Sequence, residues 1–364
     1  MKKLCSLLCV FALAVSLMAG CGAADTPETT LAPETTEAPA ESTAAETTVP
    51  ESTAPETTEQ AAAPVDVRIM TLKGPTSIGL SPFMSRAENG ELTDNNYQFT
   101  IAASADEVGP KLVKGEIDMA AIPANLSSVL YNKSEGAICV LGINTLGVLN
   151  IVESGDTVHS IGDLRGKTIL ATGKNHTPEQ VITYLLTQNG MTIGEDVQIE
   201  WKTEAAECLN ALMAEENAIA MLPQPFASAA QLKSDNIRVA LDLTEEWDKL
   251  QVGSEHPSTI CTGVVVARKE FVEAHPEAVS AFMDHYRESV EFVNGNVDEA
   301  AKLVAHYDIV KEPVAKKAIP ACNIVFIEGG EMQGKLSGYL QVLFDQNPKS
   351  VGGALPGGDF YFAR

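Results

Sequence analysis

The feature that most constrains the fold is the alternation of strand-like and helix-like segments across residues 65–364. Short β-branched runs are followed repeatedly by amphipathic stretches that open with helix-starting residues and close with glycine. This order predicts an α/β protein in which parallel sheets are flanked by helices. A segment of about three hundred residues exceeds what one core usually holds, so we expect two lobes.

Two segments give sharper local predictions. Residues 137–152 form a long apolar run that can hold two strands. Residues 177–190 predict a helix in which Thr177 and Gln180 form a capping box, Pro178 occupies the first helical position and Gly190 ends the last turn.

The N-terminus predicts export. Two lysines precede an apolar run at residues 4–19, which is too short to span a bilayer comfortably but suits a signal peptide. The run ends in Leu-Met-Ala-Gly-Cys, which resembles a bacterial lipobox with methionine where leucine is usual. We therefore expect a signal peptide at residues 1–20 and a lipid on Cys21. The alternative is an ordinary signal peptide followed by an incidental cysteine.

Residues 22–64 repeat Thr, Glu, Ala and Pro and contain no basic or aromatic residue. Such a composition cannot bury enough apolar surface to offset its ordering entropy. We expect residues 21–64 to be a disordered tether that spaces a folded domain away from the outer face of a cell membrane.

Charge and motifs exclude several functions. The formal net charge of −24 argues against nucleic acid as a partner. The histidines form no metal-binding pattern, and no nucleophile elbow, zinc-protease motif or phosphate loop is present, so we expect no catalytic residue, metal or cofactor. Four cysteines remain in the folded part, and we favour buried free thiols while leaving a disulfide open: Cys139, Cys208, Cys261 and Cys322.

Four passages together carry a family resemblance. They are Lys-Gly-Glu-Ile-Asp-Met-Ala with its continuation at residues 114–125, Ile-Gly-Asp-Leu-Arg-Gly-Lys at residues 161–167, Met-Leu-Pro-Gln-Pro-Phe at residues 221–226, and the strand and helix start at residues 263–276. In order and spacing the chain resembles the type II periplasmic-binding fold. It is most similar to receptors for nitrate, taurine, aliphatic sulfonates and thiamine precursors. Many relatives carry an acidic residue where this chain has Gln224.

The resemblance implies a two-lobe molecule with a ligand cleft between the lobes and two hinge crossovers. Lobe one would comprise residues 65–153 plus 262–364, and lobe two residues 154–261. The implied function is a monomeric binding component of an ABC importer, with a permease and its ATPase as partners. The implied cargo is a sulfonate, taurine, a nitrate-like anion or a pyrimidine-type precursor, released unchanged.

Loops that follow strands and precede helices are the candidate ligand contacts, because free backbone N–H groups point there. Lobe one supplies Gly74, Pro75, Thr76, Ser77, Asn125 and Thr145. The first four are otherwise a plain strand-to-helix turn, and Asn125 is otherwise only a helix N-cap.

Lobe two supplies Gly173, Lys174, Asn175, His176, Thr177 and Gln224. A helix start beside a lysine and a histidine suits a carboxylate, sulfonate or phosphate, although a solvated loop explains it equally. Trp247 either stacks on a ligand ring or belongs to the core.

Two other functions stay open at this point. The same scaffold hosts enzymes, and a ligand-binding lobe can also report to a membrane kinase instead of a permease.

Overall fold

The computed structural model describes residues 63–254 and 257–364. The predicted signal peptide, the lipidated Cys21 and nearly all of the predicted tether lie outside the described residues. The described residues belong to one compact unit.

Strand-forming runs of β-branched and aromatic residues produce eleven strands within the described ranges. They are β1 (Asp66–Leu72), β2 (Asn96–Ala102), β3 (Met119–Pro123), β4 (Ile138–Leu146), β5 (Leu149–Ser154), β6 (Thr168–Ala171), β7 (Gln198–Trp201), β8 (Ile219–Pro223), β9 (Ile237–Asp242), β10 (Cys261–Arg268) and β11 (Ile324–Ile327). The apolar run at residues 137–152 does contain two strands, β4 and β5, as predicted.

Thirteen α-helices lie between and after these strands in the same ranges. They are α1 (Pro75–Ile78), α2 (Ser81–Glu88), α3 (Val108–Val113), α4 (Ala124–Lys133), α5 (Thr177–Gln188), α6 (Ala205–Ala214), α7 (Phe226–Lys233), α8 (Leu243–Leu250), α9 (Lys269–Ala274), α10 (Pro276–Gly295), α11 (Val297–His306), α12 (Glu312–Ala318) and α13 (Gly329–Gln346).

The strands form two mixed sheets. The first has the order β11-β4-β10-β3-β1-β2 and the second the order β7-β6-β8-β5-β9. Strand β1 pairs in parallel with β2 and β3, and β6 pairs in parallel with β7 and β8. The remaining pairs are antiparallel. The expectation of parallel sheets is therefore correct only in part. Every antiparallel pair except β11–β4 involves β5 or β10, the strands that enter their sheets from the other sheet.

The chain passes between the two sheets twice. It leaves the first sheet at the end of β4 and enters the second at β5, with only Gly147 and Val148 between. It returns after α8 through the segment that leads to β10. The second sheet thus already includes residues 149–153, and the lobe boundaries at residues 153/154 and 261/262 stay predictions.

Buried apolar side chains fill both faces of the first sheet. One cluster lies against α2, α10, α11 and α12 and contains Phe83 and Phe282. A second cluster includes Ile122 from the first sheet, Ile151 from the second and Leu336 from α13. Helix α13 contacts β4, α4 and α5, so it packs against elements of both sheets. The ends of the two sheets are thereby held close together.

Candidate functional site

A cavity of about 330 Å³ lies where strand ends of both sheets meet. Pro123 ends β3, Thr172 follows β6 and Pro223 ends β8, so the carboxyl ends of three strands open onto it. In open α/β sheets this is where ligands bind. The full lining is Thr76, Pro123, Asn125, Val148, Leu149, Thr172, His176, Thr177, Pro178, Val181, Met221, Pro223, Ile260, Cys261 and Thr262.

Two helices of the α/β crossovers begin at this cavity. Helix α4 starts after Pro123 and α5 starts after His176, and neither has a side-chain hydrogen bond that caps its first turn. The first N–H groups of a helix have no intrahelical partner and carry partial positive charge. The cavity therefore presents backbone donors that suit a negatively charged or hydrogen-bond-accepting group.

Four of the predicted contact residues line the cavity. They are Thr76, Asn125, His176 and Thr177. The Thr76 hydroxyl donates to the Leu72 carbonyl at 3.2 Å, and Asn125 Nδ2 donates to the Ser350 carbonyl at 3.3 Å. Asn125 is the second residue of α4 and Pro123 is its N-cap, so Asn125 does not cap the helix.

The lobe-one residues Gly74, Pro75, Ser77 and Thr145 do not line the cavity. Ser77 Oγ donates to the Gly74 carbonyl at 2.9 Å, which stabilises the turn before α1. Thr145 is fully buried and its Oγ1 has no partner among the described residues. Their role as ligand contacts stays a prediction.

Gly173, Lys174 and Asn175 also lie outside the cavity lining. The Asn175 N–H donates to Glu179 Oε2 at 2.6 Å, and Lys174 is exposed. The loop is thus turned so that only its two ends, at Thr172 and at His176 with Thr177, reach the cavity.

Gln224 is buried, and its side chain points towards the first turn of α7. Its Oε1 accepts hydrogen bonds from the Ser228 N–H at 3.2 Å and from Ser228 Oγ at 2.8 Å. It therefore provides a hydrogen-bond acceptor for an N–H group in the first turn of α7, and it does not line the cavity. The prediction of Gln224 as a specificity residue missed this partner four residues along the chain.

The capping box predicted at α5 is wrong. His176 is the N-cap residue and Thr177 is the first helical residue, so the Thr177 hydroxyl is one position too late to cap the helix. The side-chain amide of Gln180 is buried and has no hydrogen-bond partner among the described residues. Pro178 has no N–H, and the N–H groups of Glu179 and Gln180 donate to the His176 carbonyl at 3.1 and 3.4 Å. In the first turn of α5, the Thr177 N–H is thus the one left without a partner among the described residues.

Sequence reasoning missed the apolar wall of the cavity. Its large members are Val148, Leu149, Val181, Met221 and Ile260. The prediction takes its contacts mainly from loops between strands and helices, although the ends of apolar strands meet at a sheet edge just as these loops do. Cys261 also lines the wall, and burial raises the pKa of its thiol to about 12. All four cysteines of the described chain are free and buried, as favoured from the sequence.

The family match decides the class of protein. Residues 89–310 match the family described as "ABC transporter, phosphonate, periplasmic substrate-binding protein". The chain belongs to this family. It is accordingly a periplasmic substrate-binding component of an ABC transporter, and the class of protein predicted from the sequence is confirmed.

Solved structures agree on the fold of this substrate-binding protein. An ABC transporter protein from Parabacteroides distasonis is 23% identical with a TM-score of 0.68, covering 83% of this chain and all (100%) of that one. The aliphatic sulphonate-binding protein SsuA from Escherichia coli is 15% identical with a TM-score of 0.63, covering 82% and 92%. SsuA from Xanthomonas axonopodis pv. citri, bound to MOPS, is 15% identical with a TM-score of 0.56, covering 82% and 96%.

These neighbours confirm the type II periplasmic-binding fold. No curated protein sequence matches the chain. In the part of the chain that the structure describes, none of the helices combines the length and apolar character needed to cross a membrane.

Proposed function

We propose that this substrate-binding protein captures a small organic molecule with a polar or anionic head in the cavity and delivers it unchanged to an ABC permease and its ATPase. The observation that carries the proposal is the meeting of two uncapped helix starts with the carboxyl ends of strands from both sheets around one cavity. The candidate cargo comprises phosphonates, which the family description names, together with sulfonates, taurine, nitrate-like anions and pyrimidine-type precursors.

The lining of the cavity supports binding without turnover. Among the lining residues only His176 and Cys261 have titratable side chains, and the threonine hydroxyls that also line the cavity are weak nucleophiles unless a base activates them. At a pKa of about 12 the Cys261 thiol stays protonated near neutral pH and is a poor nucleophile. No carboxylate is among the lining residues to orient a base.

A thermal-shift screen of the full chain tests the proposal. The panel contains phosphonates, sulfonates, taurine, nitrate and pyrimidines, and a ligand that binds only the folded state raises the melting temperature by mass action. We expect at least one ligand to raise it at low concentration and to be recovered chemically unchanged. Conversion of the ligand into a product would identify an enzyme on this scaffold. An unchanged melting temperature with every compound of the panel would contradict the proposed cargo classes.

We also propose that Cys21 carries a lipid, that residues 22–64 tether the domain, and that the protein acts as a monomer at the outer face of the cell membrane. Membrane fractionation of cells that express the chain or its Cys21→Ser variant tests the anchor. The native chain should sediment with membranes and the variant should be soluble. Equal partitioning of the two would contradict the anchor.

A further inference from the structure

The side chains that form the wall of the cavity are mostly apolar. Apolar side chains come from the entry to β5, from α5, from β8 and from the approach to β10 (Val148, Leu149, Val181, Met221 and Ile260), and three prolines add to them. None of the lining residues is an Asp, Glu, Lys or Arg. The cavity therefore offers no side chain with a permanent charge to a bound ion.

Few of the side chains that line the cavity can form strong hydrogen bonds. The donors of Thr76 and Asn125 are already paired with the carbonyls of Leu72 and Ser350. No hydrogen bond joins the side chains of Thr172, His176, Thr177 or Thr262 to another described residue. Thr172, His176 and Thr177 flank a single loop at the start of α5, so most of these unpaired polar side chains lie there.

A mostly apolar wall disfavours bare ions and favours ligands that have an apolar body. A bare oxyanion exposes acceptors in every direction, and an apolar wall removes its water without replacing the hydrogen bonds. A molecule with an apolar body instead gains from each group that it buries, about fourfold in affinity per methylene. A cavity of about 330 Å³ is also within the usual range for organic ligands.

We propose that the cargo is an organic molecule whose ring or alkyl body lies against the Val148, Met221 and Ile260 wall while one compact polar head binds at the start of α5. Bare oxyanions and one-carbon phosphonates or sulfonates are then poor ligands. This inference rests on the proposed binding function and narrows its cargo.

Two ligand series with constant heads test the inference by calorimetry on the full chain. One series is methyl-, propyl-, hexyl- and phenylphosphonate, the other the corresponding sulfonates, with nitrate and phosphate as bare ions. In at least one series we expect the Kd to fall about fourfold per added methylene until the cavity is filled, and phenyl to bind at least about tenfold more tightly than methyl.

The outcomes distinguish failure of the inference from failure of the binding function. If the bare ions or the methyl compounds bind as tightly as the larger members, the inference is overturned while the binding function stands. If no member of either series binds, both the proposed cargo classes and this inference fail.

Variants of the wall sharpen the test. Met221→Gln places an amide of similar size in the wall and should weaken the hexyl or phenyl ligand about tenfold or more, with a much smaller effect on the methyl ligand. Met213→Gln changes an exposed methionine on α6 that does not line the cavity and should leave every Kd unchanged. An equal loss for all ligands, or no loss, would contradict the inference.

A second wall variant keeps the test possible if the Met221→Gln protein does not fold. Val148→Thr keeps the side-chain shape, and the hydrogen bonds at Val148 that hold Gln224 and Asn150 use only its backbone carbonyl. It should likewise weaken the large-bodied ligands more than the methyl compound, and an unchanged ratio between them would count against the proposal.

Discussion

Gly263 lies in β10, where β4 and the start of α1 crowd its backbone. A Cβ atom at this position would be 2.4 Å from Asn144 Oδ1 and 2.6 Å from Thr76 Cγ2. Asn144 Nδ2 in turn donates to the Thr76 carbonyl at 3.3 Å and to the Tyr286 hydroxyl at 3.0 Å. Because Thr76 lines the cavity, the position of the cavity wall depends on the missing side chain at residue 263.

Gly263→Ala should therefore damage both stability and binding. Overpacking of this kind typically lowers the free energy of unfolding by about 1–3 kcal/mol, and displacement of Thr76 should raise the ligand Kd. Denaturant unfolding and ligand titration measure the two effects.

A matched glycine provides the control. Gly334 lies on the exposed face of α13, and a Cβ atom added there would meet nothing within 4 Å. Gly334→Ala should stabilise the protein by about 0.5–1 kcal/mol, because alanine is the better helix former. A Gly263→Ala protein as stable as the native chain would show that the strands move apart easily.

At the scale of elements, Trp247 joins three helices. Its ring lies on α8 with its centroid 4.3 Å from that of Tyr184 on α5 and 5.7 Å from that of Tyr339 on α13. Its Nε1 donates to Ser258 Oγ at 3.1 Å, and the residue is fully buried. Of the two roles left open by the sequence, the structure supports the core role.

Trp247→Ala should lower the free energy of unfolding by about 3–5 kcal/mol, since it removes a large buried ring from the contact of three helices. Chemical denaturation followed by circular dichroism measures the change. Trp201→Ala, at a partly buried position in β7, should cost clearly less. Equal costs for the two variants would mean that α5, α8 and α13 do not depend on this aromatic cluster.

At the scale of the whole molecule, buried carboxylates tie distant segments together. Asp118 Oδ1 accepts from Arg68 Nη2 at 2.7 Å and from Arg268 Nη2 at 2.9 Å, which joins β1, β3 and β10. Burial opposes its ionisation, but the hydrogen bonds from the two arginines hold the pKa of Asp118 below its usual range. Burial likewise opposes ionisation of Glu153, whose pKa is held low by the N–H groups of Thr157 and Val158 and by other partners including Arg238.

These lowered pKa values predict a loss of stability in acid. The unfolded chain binds protons at a higher pH than the folded one, so the contribution of these carboxylates is complete above about pH 5 and is lost as the pH falls through and below about 4. The melting temperature should be nearly constant between about pH 5 and about pH 7 and should fall steeply in more acidic buffer.

Asp118→Asn separates this carboxylate from the others. It should destabilise the protein by about 3 kcal/mol at neutral pH, because it leaves two arginines without their shared anion, and it should make the acid decline shallower. Asp235→Asn changes an exposed carboxylate and should leave the decline as it is. A native-like decline in the Asp118→Asn protein would contradict the assigned role.

The sequence by itself determined most of the local structure. The sequence predicted a helix over residues 177–190, where α5 lies, and two strands within the apolar run at residues 137–152. These features follow from periodicity and from turn residues, which act between neighbours along the chain. The four passages that resemble periplasmic receptors, taken in their order along the chain, also predicted the class of protein.

Only the tertiary structure decided which residues share the cavity. Pro123, Thr172, Pro223 and Cys261 come from four strand ends that are far apart in the chain and meet because of the sheet order and the two passages between the sheets. Tertiary contacts also turned Gln224 towards Ser228 and left α5 without its predicted cap. Packing between distant segments sets these outcomes, and a local pattern carries no information about which distant segment will be the neighbour.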